Sequence, residues 1–353
     1  MKLLVLGASS QLGRELVSLL SSQEVKHEAL GSSDIDLLKP LEVARLITRI
    51  DPDQVINVAS YTNLEKAERD EEASKLCDLV NTQGVSTLAL ACDHLNIPLI
   101  HHSSSYVFDG SKNKPYDEED ATNPQCRYGL SKWYGECAIR DVLKRHVILR
   151  TDWMFSVYRN KFFRLHIEAC KRYRGNVEVM DHRFSPTPAD DVARVMLAMA
   201  RQIDCHADVW GTYHYCALLP QTQQQFVEYF LKEAARYDEE LAACLENLTF
   251  AVVPVALPYI GNTVLNTNKI MDTFGIKQRS RAGAITRVLE DLYGLDAKLN
   301  TVLQPAPVEE ETLMVSEPHR RGSKKKNGKA SAKSKNAERP ARTGAVKKSL
   351  PPP

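Results

Sequence analysis

Tyr128 and Lys132 stand four residues apart in Tyr128-Gly-Leu-Ser-Lys132. Four residues is about one helical turn, so on a helix both side chains leave one face. An ammonium beside a phenol favours the phenolate and lowers the Tyr pKa from its ordinary value of about 10. The chemistry expected of such a pair is proton transfer at a carbonyl or alcohol near neutral pH. The spacing alone also fits a surface Tyr packed under a Lys stem. What decides is the company the pair keeps.

Two other segments supply that company. An apolar run at residues 3–6 leads into Gly7-Ala8-Ser9-Ser10-Gln11-Leu12-Gly13, and a helical pattern follows through Leu16, Leu19 and Leu20. Strand, glycine turn and helix in that order form a dinucleotide-binding βα unit. Gly7 makes the tight turn and Gly13 lets helix and strand approach. The N–H groups around Ser10, Gln11 and Leu12 open the helix and face a pyrophosphate. Ser10 occupies the place of a usual middle glycine, and its Cβ is expected to crowd the phosphates. The second segment is Ser103-Ser104-Ser105-Tyr106, which closes the strand at 99–102. A hydroxyl at that strand end can hydrogen-bond a substrate carbonyl beside Tyr128, although Ser-rich turns are common.

With these residues in place the chain resembles the extended short-chain dehydrogenase/reductases, and within them the dTDP-4-dehydrorhamnose reductases. The likeness runs through Gly7–Gly13, Val55–Thr62, Lys66-Ala-Glu68, Val80-Asn81, Ser103–Gly110 and Tyr128–Lys132. It continues in Leu149–Trp153, Ser185–Asp191, Gly211–His214 and Thr273–Ile276, and so covers about residues 1–295. The resemblance implies that Tyr128 protonates the C4 oxygen of a keto sugar while a nicotinamide delivers hydride. Lys132 then lowers the Tyr128 pKa and binds the nicotinamide ribose, and Ser104 orients the carbonyl. Ala59, Tyr61 and Asn81 fall on the cofactor side. Ser105, Tyr106 and Trp153 fall on the side of the nucleotide-sugar substrate, with Trp153 packed against the sugar or, equally well, in the core. Ser105 departs from the pattern, because the family usually has Asp there. That leaves open another nucleotide-sugar reductase or epimerase. It also leaves open a non-catalytic NADP-binding regulatory subunit, like that of methionine adenosyltransferase, which is similar to this family.

The second strand ends in Gly31-Ser32-Ser33-Asp34-Ile35-Asp36. An acid at its tip reads the ribose 2′-OH of NAD(H), whereas Arg accepts the 2′-phosphate of NADP(H). Gly31 and Ser32 do neither, which tilts the expectation toward NADPH, with Asp36 near the adenine. The resemblance further implies a homodimer. In some members of the family Mg2+ sits at the dimer interface, and Glu15, Asp190 and Asp191 fall at the matching positions. Two acids in a first helical turn also simply favour the macrodipole.

The elements that must carry these residues alternate. Strands are expected at 3–6, 27–30, 55–58, 99–102 and 147–150, and helices at about 11–21, 41–50, 71–95 and 126–144. That order implies a Rossmann-type doubly wound parallel sheet at 1–150. A smaller α/β substrate lobe with returning sheet elements follows at 151–295. It is expected to hold helices at 161–173, 222–237 and 281–293 and a strand at 177–180, with Thr187 capping a helix that begins at Pro188. The eight cysteines form no Cys-x-x-Cys, and no His spacing suggests zinc. With no signal peptide or membrane span apparent, free thiols in the cytoplasm are expected.

Residues 296–353 read as a disordered basic tail. From Pro318 onward twelve Lys/Arg oppose Glu338 alone, a charge of +11 that leaves −10 on the rest of a chain whose net charge is +1. Such a tail either stays solvated or docks on a polyanion in a salt-dependent way. Truncation after Lys298 should leave folding and turnover at saturating substrate unchanged. The same truncation should abolish any retention on a polyanion column, as compared directly with the full chain.

Overall fold

The computed structural model of the protein describes residues 1–295. The basic tail at 296–353 lies outside the described residues. The first half alternates strand and helix: β1 (Lys2–Leu6), α1 (Gln11–Ser22), β2 (Lys26–Leu30), α2 (Pro40–Ile50), β3 (Gln54–Asn57), α3 (Leu64–Arg69), α4 (Glu71–Asp78), α5 (Val85–His94), β4 (Leu99–Ser104), α6 (Arg127–Val142) and β5 (His146–Thr151). The second half holds β6 (Met154–Phe155), α7 (Lys161–Arg172), β7 (Asn176–Met180), β8 (Arg183–Phe184), β9 (Thr187–Pro188), α8 (Ala189–Asp204), β10 (Gly211–Tyr215), β11 (Gln221–Thr222), α9 (Gln223–Ala234), α10 (Glu239–Leu245), β12 (Thr249–Val253), α11 (Asn268–Phe274) and α12 (Ala282–Leu292).

Six strands form one parallel sheet in the order β2-β1-β3-β4-β5-β10. Leu3, Leu4, Val5 and Leu6 are all buried because β1 is covered on both faces, the pattern of a central parallel strand. On one face α1 and α8 pack through Leu12, Leu16, Leu20, Val192, Val195 and Met199. On the other face α2, α5 and α6 bury Val43, Ile47, Val85, Leu88 and Ile139. Strand order reverses between β1 and β3, so the crevice beyond their carboxyl ends is the expected ligand site. Among the described residues no helix is long and apolar enough to cross a membrane.

Two expectations change. The helix read at 71–95 is three pieces, because a π-helical turn at Leu79–Gly84 separates α4 from α5. Such turns commonly mark functional sites, and this one carries Asn81. Thr187 does not cap α8. Its Oγ1 donates to Ser185 O and accepts from Ala217 N, and Pro188 takes the cap position after a short strand. Within 151–295 the returning sheet element is β10, which pairs with β5 in parallel as the sixth strand. The lobe has its own aromatic core of Phe155, Phe163, Phe184, Phe226 and Phe230.

A buried charge cluster ties α6 to the sheet. Arg150 on β5 donates Nε and Nη2 to the fully buried Glu136 carboxylate at 2.9 and 2.7 Å. Ser103 Oγ on β4 donates to the same carboxylate at 2.5 Å, and Arg140 binds it from the next turn of α6. Burial pushes the Glu136 carboxyl up, but the charges and hydrogen bonds of Arg150, Arg140 and Ser103 outweigh it and hold the group below its ordinary value. Removing one partner of such a buried pair strands the other charge. Glu136→Gln should therefore cost about 3–5 kcal/mol, measurable as a lowered urea midpoint at unchanged slope.

Candidate active site

The glycine turn after β1 has the shape of a dinucleotide cradle. Gly7 sits at φ +87°, and a Cβ there would lie 2.4 Å from Ala59 N, so the β1 and β3 ends touch backbone to backbone. A Cβ on Gly13 would meet Gly7 O at 2.1 Å. Ser10 caps α1: its Oγ accepts from Gly13 N at 3.0 Å. The first helical bond is Arg14 N to Ser10 O. Gln11 and Leu12 thus stand in the first turn, where backbone N–H groups have no carbonyl within the helix. Gln11 Nε2 is buried and has no partner. Two N–H groups and an unsatisfied amide at a helix N-terminus fit a diphosphate.

At the tip of β2 the acid brought back is Asp34, which accepts from Gly31 N at 2.7 Å. Asp36 accepts from Leu38 N and shapes the following turn. Ser32 is exposed. The sequence places both acids near this tip, but only the folded loop selects between them.

Asn81 is a clamp. Its Oδ1 accepts from Tyr61 N at 2.9 Å and from Ser60 Oγ, while Nδ2 donates to Tyr61 O and Ser131 Oγ at 3.0 Å each. The π turn points this amide inward, and Gly135 lets α6 pass so close that a Cβ would lie 2.3 Å from Asn81 O. The residues 59–61 beyond β3 are thereby locked to α6.

Tyr128 and Ser104 meet, as expected from the strand-end serines. Both are buried, and the Ser104 hydroxyl lies close enough to the phenol to favour its ionised form. Tyr106 stands edge-on to the Tyr128 ring at 5.9 Å between centroids. The expected depression of the Tyr128 pKa is not found. Burial pushes it up to about 12, against the opposing influence of the Ser104 hydroxyl. Lys132 reaches β4, with Nζ donating to His102 O at 2.7 Å and lying 3.4 Å from His101 Nε2. Burial brings the Lys132 ammonium down to about 8, although the Glu136 charge works the other way. The site therefore holds a protonated phenol at neutral pH, beside a lysine near its own titration point.

Three residues that the sequence reading passed over close the site. Asp152, in the Arg-Thr-Asp-Trp run, is buried and pushed up to about 7 by that burial, against hydrogen bonds from Ser185 N and Trp153 N. Ser105 is fully buried, with its Oγ facing Asp152 short of hydrogen-bond geometry. From the lobe, Arg159 donates to Thr62 Oγ1 at 3.1 Å and Tyr259 donates to Glu65 Oε1 at 3.1 Å. Arg159 favours the Tyr128 phenolate, and Tyr259 faces Tyr106. Trp153 is half-buried among Phe155, Phe162, Phe184 and Phe226, at ring separations of 4.8–5.9 Å. It belongs first to the lobe core.

Comparison with known proteins places this geometry. Residues 1–293 match the family described as RmlD substrate binding domain. A dTDP-4-dehydrorhamnose reductase of Aggregatibacter actinomycetemcomitans is 33% identical over 285 residues, covering 78% of this chain and 94% of the relative. The chain belongs to this family. The dTDP-4-dehydrorhamnose reductase of Sinorhizobium fredii is 32% identical over 281 residues, 78% of this chain and 93% of that one. A crystal structure of the Clostridium acetobutylicum dTDP-4-dehydrorhamnose reductase superposes with a TM-score of 0.69 at 26% identity, covering 83% of this chain and 99% of that one. The Bacillus anthracis dTDP-4-dehydrorhamnose reductase, in complex with NADP, superposes at 0.66 with 24% identity over 81% and 96%.

The acids weighed as a Mg2+ site for a member of this family do not come together as one donor set. Asp191 is buried against Tyr215 and Arg194, and Asp190 pairs with Arg287. Among the described residues no group of three or more His, Cys, Asp or Glu is arranged to hold a metal ion. Glu15 lies near Asp190, and burial first and that neighbouring charge second push its carboxyl up to about 7. A folded-state pKa above the ordinary 4.5 means stability that is complete at acidic pH and lost as pH rises through 7. Glu15→Gln should thus match the parent near pH 5 and melt about 2–4 °C higher at pH 8.5, as read by thermal scans at the two pH values.

Proposed function

We propose that this protein reduces the C4 ketone of dTDP-4-dehydro-L-rhamnose to dTDP-L-rhamnose with NADPH. The observation that carries the reading is the buried Tyr128 phenol, set beside Ser104 at the end of β4 and held protonated by burial. The relatives named as dTDP-4-dehydrorhamnose reductases support the substrate, and the NADP complex of the Bacillus anthracis neighbour supports the cofactor. NADPH, when bound, supplies the hydride. Residues 1–150 hold it: Gly7 and Gly13 admit the diphosphate, Gln11 and Leu12 donate to it, and Ala59, Tyr61 and Asn81 line the β3 side. Residues 151–295 hold the nucleotide sugar.

Within that frame Ser104 aligns the ketone oxygen, and Tyr128 gives it a proton as the carbon gains hydride. A phenol with a pKa of about 12 is fully protonated at pH 7, which is the form that a reductase needs. An alkoxide product is more basic than the phenolate, so the transfer runs downhill. Arg159, which favours the phenolate, stabilises the charge left on Tyr128. Ser105 and Tyr106 border the sugar. A second reading, reduction of another 4-keto nucleotide sugar, is favoured by Ser105 standing where the family usually has Asp. A panel of 4-keto nucleotide sugars, followed by loss of nicotinamide absorbance, separates the two.

Tyr128→Phe should lower kcat by about 10²–10⁴ and leave NADPH affinity unchanged by isothermal titration. Near-parental turnover in that variant would remove Tyr128 from the chemistry. Ionisation of Tyr128 should leave no mark on the kcat profile between pH 6 and 9.

A further inference from the structure

A chain of buried polar groups runs from the glycine cradle to Lys132. Asn57 ends β3 and His101 lies on β4, and both are fully buried, as is Lys132. Ala59 N donates to Asn57 Oδ1 at 3.1 Å. Asn57 Nδ2 lies 3.1 Å from His101 Nδ1. His101 Nε2 lies 3.4 Å from Lys132 Nζ. A backbone N–H only donates, so the Asn57 oxygen must face Ala59 and its amide nitrogen must face His101. An amide nitrogen also only donates, so His101 Nδ1 must accept. His101 is neutral, since burial above all holds its pKa well below the ordinary value. Its single proton therefore sits on Nε2 and points at Lys132.

An ammonium has three donors and no acceptor, so it cannot receive that N–H. A neutral amine can. It accepts from His101 Nε2 while one of its own hydrogens stays on His102 O. We infer that Asn57 locks His101 in its Nε2–H tautomer, and that His101 so held is a positioning residue that weakens the hold of Lys132 on its proton. Lys132 then serves as a group that exchanges protons near neutral pH, not as a fixed cation. The groups facing Lys132 are His101 and His102 on β4, Cys77 on α4 and Glu136 one turn along α6. Glu136 favours the ammonium, and its carboxylate is already bound by Arg150, Arg140 and Ser103. The downward push to about 8 comes from burial, and the tautomer lock adds to it in the same direction. The part that concerns proton exchange during turnover rests on the reading of Tyr128 and Lys132 as the catalytic pair.

Two variants test the lock in the full-length protein. His101→Phe keeps the ring and removes the N–H. Asn57→Asp still accepts from Ala59 N but now also accepts from His101 Nδ1, which moves the ring proton and leaves Nε2 free to accept from the ammonium. The probe is carbon-13 NMR of protein labelled at the lysine ε carbon, with the Lys132 signal identified by its loss in Lys132→Met. The parent should titrate near 8, and both variants should titrate higher by about one pH unit or more. An inflection in kcat for ketone reduction should follow the NMR midpoint in each protein. An unmoved midpoint in the folded variants overturns the lock, even if turnover is robust. A midpoint that moves in a protein reducing none of the keto sugars supports the lock and defeats the reductase reading instead.

Discussion

The burial of Glu136 between Arg150 and Arg140 is the interaction on which the rest of the site depends. A carboxylate with no exposure is tolerable only if its lone pairs are filled and its charge is matched. Here Arg150 from β5, Ser103 from β4 and Arg140 from α6 itself do both. Satisfying one residue thus fixes the position of α6 over two adjacent strands. Lys132 lies one turn before Glu136 on that helix and Tyr128 two turns before it, so their place at the strand ends follows from the same constraint. His214 on the returning strand β10 approaches Arg150 at 3.3 Å, which brings the sixth strand into the same cluster.

Close backbone approach does for the cofactor side what charge does for the catalytic side. Gly7 against Ala59, Gly129 against Tyr106 O and Gly135 against Asn81 O are contacts at 2.2–2.4 Å from any added Cβ. Glycine is needed at each because two backbones meet there without room for a side chain. The π turn at Leu79–Gly84 then aims Asn81 at the 59–61 loop. Three elements that are distant in sequence become one rigid rim around the crevice between β1 and β3.

This arrangement also explains why the Tyr128/Lys132 pair does not behave as its spacing suggests. Helical spacing puts two side chains on one face, but it says nothing of where flexible atoms end. The lysine chain is long enough to reach His102 O, and the low-dielectric surroundings make every charged form costly. Both groups consequently move toward their neutral forms, the phenol upward and the ammonium downward. A neutral acid beside a readily titrated base suits proton delivery to a ketone.

Much was legible in the chain itself. The βα alternation, the glycine turn, the strand-end serines and the family likeness are local patterns, and each is set by periodicity or by steric demands within a few residues. That is why five of the sheet strands and the Tyr128–Ser104 meeting could be anticipated. Elements whose identity depends on distant partners could not. A returning strand was expected but not located: β10 takes that role because β5 offers it an edge, and the helix at 71–95 is interrupted where Asn81 bonds Tyr61. Thr187 was expected to cap a helix but bonds Ser185 and Ala217 instead, since a side-chain hydroxyl takes whichever partner the fold brings nearest. The three acids at 15, 190 and 191 satisfy a spacing, but Tyr215, Arg194 and Arg287 claim two of them. Sequence determined which residue types were available and in what local order. Only tertiary structure decided their protonation and partners, because both depend on burial and on neighbours that the chain brings together from far apart.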